Sequence, residues 1–281
     1  MKKIKGLLII AISPLKTPKE NILPYWATMI IGLMKEKLKN LAGILKSGLY
    51  AFIPFILIIL QNDLGTALVI LFIYLVMLYA AGGNKKIMLL IFGGSFLLII
   101  ILLASHFLFE TPLPLIKEYQ LNRLIVFVNP DIDPQGAGYN ILQSKIALGS
   151  GKIFGKGLFS GTQNQLNFLP EKHTDFIFSV IGEEFGFIGI SVVLTLYLFL
   201  FLNMIKVAVN ARDDFGKLVV TGIIAFLFFH VFQNSGMTMG VMPITGIPLP
   251  FISYGGSAML SNMIAIGIII NINVRKKKIM F

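Results

Sequence analysis

No cysteine occurs among the 281 residues, which removes disulfides, thiol nucleophiles and thiolate-held metals in one step. Charge is scarce as well: 13% of the chain is Asp, Glu, Lys or Arg, with 13 acids against 24 bases. The three histidines, His106, His173 and His230, stand far apart and no H-E-x-x-H pair is present, so no metal site is expected. Apolar residues are abundant instead, at 56% of the chain and a mean hydropathy of +0.83. That is more apolar surface than a soluble core can hide, and the chain reads as an integral membrane protein. The net charge of +11 lies in short segments between apolar runs. Such spacing encodes membrane topology, so membrane lipids are the expected surroundings and nucleic acid is not an expected partner.

Five apolar runs, over 64–83, 87–109, 176–205, 218–241 and 252–273, are near or above the roughly 20 residues a membrane helix needs. Two shorter runs, 22–34 and 47–60, bring the expectation to an all-α, polytopic bundle of six or seven transmembrane helices. With seven spans, Lys35, Lys37, Lys39 and Lys46, then Lys85 and Lys86, then Lys206, Arg212 and Lys217, and finally Arg275 to Lys278 all fall on one side. The excess of basic residues makes that side cytoplasmic and puts the C-terminus there. The organisation predicted is an atypical segment 1–46, membrane helices over 47–109, an extracytoplasmic loop over 110–175, and three further helices with a basic tail over 176–281. The lysines before residue 20 do not fit this scheme, and a missing or altered N-terminal portion is expected.

The 110–175 loop is long enough to imply a function, and its turn signals, aromatics and amphipathic Ile141–Leu148 piece predict that it folds back on the membrane to wall a cavity. Within it, "GSGKIFGKG" (149–157) resembles a phosphate loop but lacks the Gly five positions before Gly151 and the Ser/Thr after Lys152. It is either a turn with solvated lysines or a place where backbone N–H groups with Arg123, Lys145, Lys152 and Lys156 attract a phosphate-bearing ligand. His173 and Asp175 with Ser160 or Ser179 lack any G-x-S-x-G elbow, so a serine hydrolase is not expected. Asp175 reads two ways, and both can hold: Thr174 or Asp175 capping the helix that follows, or a base at the lip of the cavity with Lys172 and His173 beside it.

Glu183 and Glu184 lie inside an apolar run, where acids usually face a cavity or a partner. Helical spacing predicts that Glu183 lines the same cavity as Asp175, and that Glu184 pairs with a neighbouring helix through Lys, Arg, His230, Gln233 or Asn234. The G-x-x-x-G spacings Gly182–Gly186 and Gly236–Gly240 predict close helix packing.

Four ordered stretches carry a family resemblance: "QNDLGTALV" (61–69), "DPQGAGYNILQSKIALGSG" (133–151), "FLPEKHTDFIFSVIGEEFGFIG" (168–189) and "PITGIPLPFISYGGSAMLSNMIAIG" (243–267). Together they resemble the RodA/FtsW/SpoVE (SEDS) family of membrane peptidoglycan glycosyltransferases, and the wording of "LNFLPEKHTDFIF" and "GMTMGVMPITGIPLP" is nearer the RodA branch. The resemblance implies a polymerase of lipid II at the outer face of the bacterial cytoplasmic (inner) membrane, serving cell elongation and shape. It maps the family's essential Asp to Asp175, implies a class B penicillin-binding protein as partner, and leaves Glu171, Lys172 and His173 in the same motif. Asp175 would take the proton of the acceptor's 4-hydroxyl as it attacks the donor's anomeric carbon with inversion, while Arg123, Lys145, Lys152 and Lys156 face the departing pyrophosphate. No cofactor is required by this reading; a divalent cation would suit the leaving group.

The sequence also departs from the family pattern. Members usually have about ten spans, "TPKE" (17–20) stands as a remnant of the family's Q-P-S-E with Leu23 near a usual lysine, and Asn62 replaces a usual Pro. Two other functions fit the same residues: a lipid II flippase using Glu183, and an inactive scaffold of the same family.

Overall fold

The computed structural model describes residues 41–61, 63–94, 97, 118–166, 168–169, 171 and 173–275. Among these every regular element is helical. The expected span 22–34 and the lysines at 35, 37 and 39 lie outside the described residues, as does most of the span expected over 87–109.

Helix α1 (Leu41–Leu60) begins six residues earlier than the apolar run suggests and takes Lys46 out of the expected connection. Pro54 lies within it. Helix α2 (Leu64–Ala80) is started by Asp63, whose carboxylate accepts from the N–H (3.0 Å) and hydroxyl (2.6 Å) of Thr66. The pair is joined inside the bundle, where Ser47 and Tyr74 hydroxyls both donate to the Ile44 carbonyl at 2.9 Å. After a turn at Ala81–Gly82 come α3 (Lys85–Met88) and a π turn over Leu89–Gly93.

The region expected as a loop is largely helical where described: α4 (Glu118–Val128), a 3₁₀ turn at Pro130–Ile132, α5 (Ala137–Ser150) and α6 (Thr162–Gln165). Asp133 Oδ2 accepts from Ala137 N at 2.8 Å and so sets the first turn of α5. Ser144 then ties α5 to the bundle, sharing a 2.6 Å hydrogen bond with Ser179 and donating to the Thr238 carbonyl at 2.8 Å.

Among the described residues three helices are long and apolar enough to cross a membrane: α7 (Ile177–Val209), α8 (Asp214–Thr238) and α9 (Gly256–Arg275). Helix α8 packs against α2, α5, α7 and α9 and is the most buried of the three. The core gathers Ile73, Met77, Phe178, Leu218, Val220, Phe226 and Ala265 around it. These are the helices of a polytopic membrane bundle, in which packing and hydrogen bonds rather than water exclusion hold neighbours together.

One apolar run, 176–205, gives a helix in two pieces. Gly186 has φ 65° and ψ −161°, a conformation essentially confined to glycine, and it breaks α7. Residues 152–157 lie across the break as a strap. Lys156 N and Gly157 N donate to the Glu183 and Glu184 carbonyls, each at 3.0 Å, while Phe187 N and Ile188 N donate to the Lys152 and Ile153 carbonyls at 2.9 and 3.2 Å. The strap thus satisfies backbone groups that a break in an apolar helix would otherwise leave bare. Beyond it, residues 187–209 extend about 34 Å at 1.5 Å per residue, enough for the ~30 Å of hydrocarbon. Glu183 and Glu184 therefore lie before the break, on the shorter piece, where the sequence reads as one continuous apolar run.

Helix α8 starts four residues earlier than expected, with Asp213 Oδ1 accepting from Gly216 N at 2.9 Å. Helix α9 starts four residues later, because Ser253 and Tyr254 are engaged in non-helical contacts.

Candidate functional site

The 171–176 turn closes on one carbonyl. Glu171 O accepts from Thr174 N at 3.2 Å and Phe176 N at 3.3 Å, and Thr174 Oγ1 donates to Glu171 Oε2 at 3.1 Å. Glu171 takes φ 50° to allow this. Helix α7 then starts behind Phe176 with no side-chain cap. The expected capping by Thr174 or Asp175 is not made: the Thr174 hydroxyl lies between the Glu171 and Asp175 carboxylates, and neither side chain caps the helix.

Three successive carbonyls of this turn are pinned from the other side. His173 O accepts from Tyr254 N at 2.8 Å, Thr174 O from Ser253 Oγ at 2.6 Å, and Asp175 O from Asn234 Nδ2 at 2.8 Å. The same Asn234 amide donates to Ile247 O at 2.8 Å, and Ser253 Oγ accepts from Leu249 N at 2.8 Å. Residues 243–255, rich in Pro and Gly, are thus folded over the turn. Gly246, at φ 72°, brings its backbone beside the acid: a Cβ there would lie 3.4 Å from Asp175 Oδ2. Gly65 in turn permits α2 to approach Thr245 and Ile247, where a Cβ would come within 2.8 Å of Thr245 O. Arg123 of α4 donates to Ile244 O at 3.3 Å.

Asp175 is half-buried in this setting. Loss of water raises its pKa above the ordinary carboxylate value and the nearby Glu171 carboxylate pushes the same way, against the Thr174 hydrogen bond and the Arg123 charge. The balance makes it a stronger base than an exposed aspartate.

The remaining candidates are dispersed. His173 is exposed beside Asp175, and Lys172 lies outside the described residues. Lys145 is exposed on α5 with its side chain across Gly240. Lys152 is exposed and contributes its carbonyl to the strap. Lys156 is bound to Glu183 Oε1 at 2.8 Å. Glu183, fully buried, also accepts from Thr162 Oγ1 (3.2 Å), Gln163 N (3.0 Å) and Asn164 N (3.4 Å), so its carboxylate holds α6 and the strap. Glu184 accepts from Asn164 Nδ2 at 3.4 Å, a residue outside the membrane helices. The α8 groups expected for it are engaged elsewhere: His230 with Phe226 O, Gln233 with Pro243 O and Asn234 as above. In "GSGKIFGKG" the N–H groups of Gly155, Lys156 and Gly157 are bound to carbonyls of 151, 183 and 184.

Among the described residues no three Asp, Glu or His side chains converge to hold a metal. Asn234 and Ser253 bond the Asp175 turn directly and Gly246 leaves room beside its carboxylate, none of which residue-type reasoning foresaw. A polar Asn deep in α8 was the available signal, since such groups must find partners.

The sequence model of the FtsW/RodA/SpoVE family, described as a cell cycle protein, matches residues 5–278. Peptidoglycan glycosyltransferase MrdB of Escherichia coli K12 is 40% identical over 226 residues, covering 80% of this chain and 59% of MrdB. Peptidoglycan glycosyltransferase RodA of Treponema pallidum is 49% identical over 162 residues, covering 58% of this chain and 37% of the relative. This chain thus spans less than two thirds of the length of either. A chain of a peptidoglycan synthase complex that coordinates polymerization and crosslinking superposes with a TM-score of 0.72 at 24% identity, covering 98% of this chain and 80% of that one. The Thermus thermophilus rod shape determining protein RodA superposes at 0.58 with 22% identity, covering 97% and 76%. These likenesses share the fold, and the match over nearly the whole sequence decides the family: the chain belongs to the FtsW/RodA/SpoVE cell cycle proteins.

Proposed function

We propose that the chain is a peptidoglycan glycosyltransferase that polymerises lipid II at the outer face of the cytoplasmic membrane. The observation that carries this is Asp175: a half-buried carboxylate of raised basicity, at the start of a membrane-crossing helix, where parts of three motifs far apart in sequence meet. The substrate is lipid-linked and its sugars are in water, so chemistry at that boundary fits both halves of the molecule.

Asp175 accepts the proton of the acceptor's GlcNAc 4-hydroxyl as that oxygen attacks the donor's MurNAc anomeric carbon. A new glycosidic C–O bond forms, the bond from the anomeric carbon to the phosphate oxygen breaks, and undecaprenyl pyrophosphate leaves with inversion. Arg123 is the cation whose charge reaches Asp175 and is first in line to orient the departing phosphates; Lys145 and Lys152 are exposed and complete the set. Glu171 and His173 flank the turn that carries Asp175 and are candidates to contact the acceptor sugar, as is Lys172 from its place in the same motif. A divalent cation, if bound, would add charge at the pyrophosphate. Lys156 and Glu183 serve the strap instead. A flippase needs an intramembrane acid along its path, and the donors already on Glu183 count against it in that role.

The basic segments support an orientation with Lys85, Lys206 and the C-terminus on the cytoplasmic side and 110–175 on the other. A class B penicillin-binding protein is the partner that would crosslink the strand, a reading supported by the similarity to a chain of a peptidoglycan synthase complex. The test is polymerisation of labelled lipid II by the purified chain, with and without that partner. Glycan strands from the wild type and none from folded Asp175→Ala are expected; no product from folded wild type in either condition would overturn the proposal.

A further inference from the structure

The three consecutive carbonyls of His173, Thr174 and Asp175 are each held by a different donor, and two of those donors are side chains. Asn234 is completely buried in α8, 59 residues further along the chain from Asp175. Both of its hydrogen-bond partners are carbonyl oxygens, so the amide orientation is fixed by chemistry: only the NH₂ can face them. Its one amide therefore joins the backbone of Asp175 to that of Ile247, next to Gly246 at the carboxylate. Ser253 does the equivalent one residue earlier. Its hydroxyl accepts from Leu249 N and donates to Thr174 O, so the fold of the 249–253 turn and the position of Thr174 depend on a single oxygen.

We propose that Asn234 and Ser253 are positioning residues that lock the 173–175 turn to the 244–254 segment and thereby fix the Asp175 carboxylate relative to the reacting sugar. Neither touches the carboxylate, and both act through backbone carbonyls. The segment they bind also carries Ile244, whose carbonyl accepts from Arg123, so the lock sets the base and the phosphate-side cation on one frame. Three donors on three successive carbonyls exceed what a helix start needs, since a helix start leaves N–H groups bare and not carbonyls. The turn is held in register to a second segment, and the residue at its end is the acid. A misplacement of about 1 Å at a reacting group costs roughly a hundredfold in rate, which is why such a lock would matter.

The inference rests on Asp175 being the base, so it is tested by two readouts, one of which needs no activity. Because the chain has no cysteine, His173→Cys carries a single nitroxide whose mobility reports the turn. Asn234→Ala, the near-isosteric Asn234→Asp, which sets a carboxylate against two carbonyls, and Ser253→Ala should each mobilise the label in the full chain in bilayers, while Ser253→Thr, which keeps the hydroxyl, should not. In chains with His173 intact, the same three variants should lose about ten- to a hundredfold in kcat for lipid II with KM within about twofold, and Ser253→Thr should recover most of it. An unchanged label, or a mobilised label with wild-type kcat, would overturn the proposal. Absence of product from the wild type would count against the polymerase reading alone, and the label would still decide whether the lock holds the turn.

Discussion

Asp175 is held in a state that costs stability and serves chemistry. Burial and the Glu171 carboxylate raise its pKa, so between its unfolded and folded values the native chain binds more protons at this group than the unfolded chain does. Its contribution to stability is full below the unfolded value and is lost as pH rises through the folded one. Asp175→Asn removes the penalty at neutral pH and keeps the shape, so thermal unfolding in detergent or bilayers should shift up by a few degrees relative to wild type, with the difference vanishing in acid. A lower midpoint for Asp175→Asn at neutral pH would contradict the environment described. The sequence announced Asp175 by its motif and by its place before an apolar run. It did not announce Asn234 as a contact of that residue, because the polar position in α8 signals only that a partner exists, and the partner is 59 residues away.

At the scale of elements, the strap and the broken helix stand or fall together. Gly186 adopts φ 65° and ψ −161°, and a Cβ there would meet the Gly155 N and Ile153 O backbone atoms of the strap. Gly186→Ala should therefore cost about 1–3 kcal/mol from conformation alone and more from the clash, read as loss of folded protein on purification. The ion pair between buried Glu183 and half-buried Lys156 gives a finer test. Lys156→Met leaves the Glu183 carboxylate with its Thr162, Gln163 and Asn164 donors alone and should destabilise by about 1–3 kcal/mol, whereas the double change with Glu183→Gln should recover a large part. Equal losses from the single and double variants would argue that the pair is idle. Helix existence was legible here: apolar length found α2, α7, α8 and α9 to within a few residues at most ends. The break was not, since a glycine in an apolar run reads as packing, and its φ is decided by a strap more than 28 residues earlier in the chain. The donors on Glu183 were equally illegible, because Lys156 comes from the strap and Thr162, Gln163 and Asn164 from α6, 19 to 27 residues earlier.

For the whole molecule, the proposed orientation follows from charge and is open to direct measurement. Single cysteines in place of Lys85, Lys206 and His173, all exposed, can be labelled in a background that has none. Lys85→Cys and Lys206→Cys should react with an impermeant reagent only after the cytoplasmic side is opened, and His173→Cys from outside. Labelling of His173 and Lys206 from one side would refute the arrangement. Class and the long apolar helices were legible in one sequence, because membrane spans are local signals; the helices α4, α5 and α6 within the region expected as a loop were not. How the motifs meet was not, because α2, the 171–176 turn and the 243–255 segment converge only in three dimensions, through Gly65, Gly246 and the donors on the turn. The central claim is that the carboxylate at this meeting point is the base that drives glycan polymerisation. Turnover of lipid II by wild type and by Asp175→Asn, which keeps the shape and removes the base, tests it most directly. A fall of about 10²–10⁴-fold with folding intact is the predicted result, and turnover by Asp175→Asn within about tenfold of wild type would contradict it.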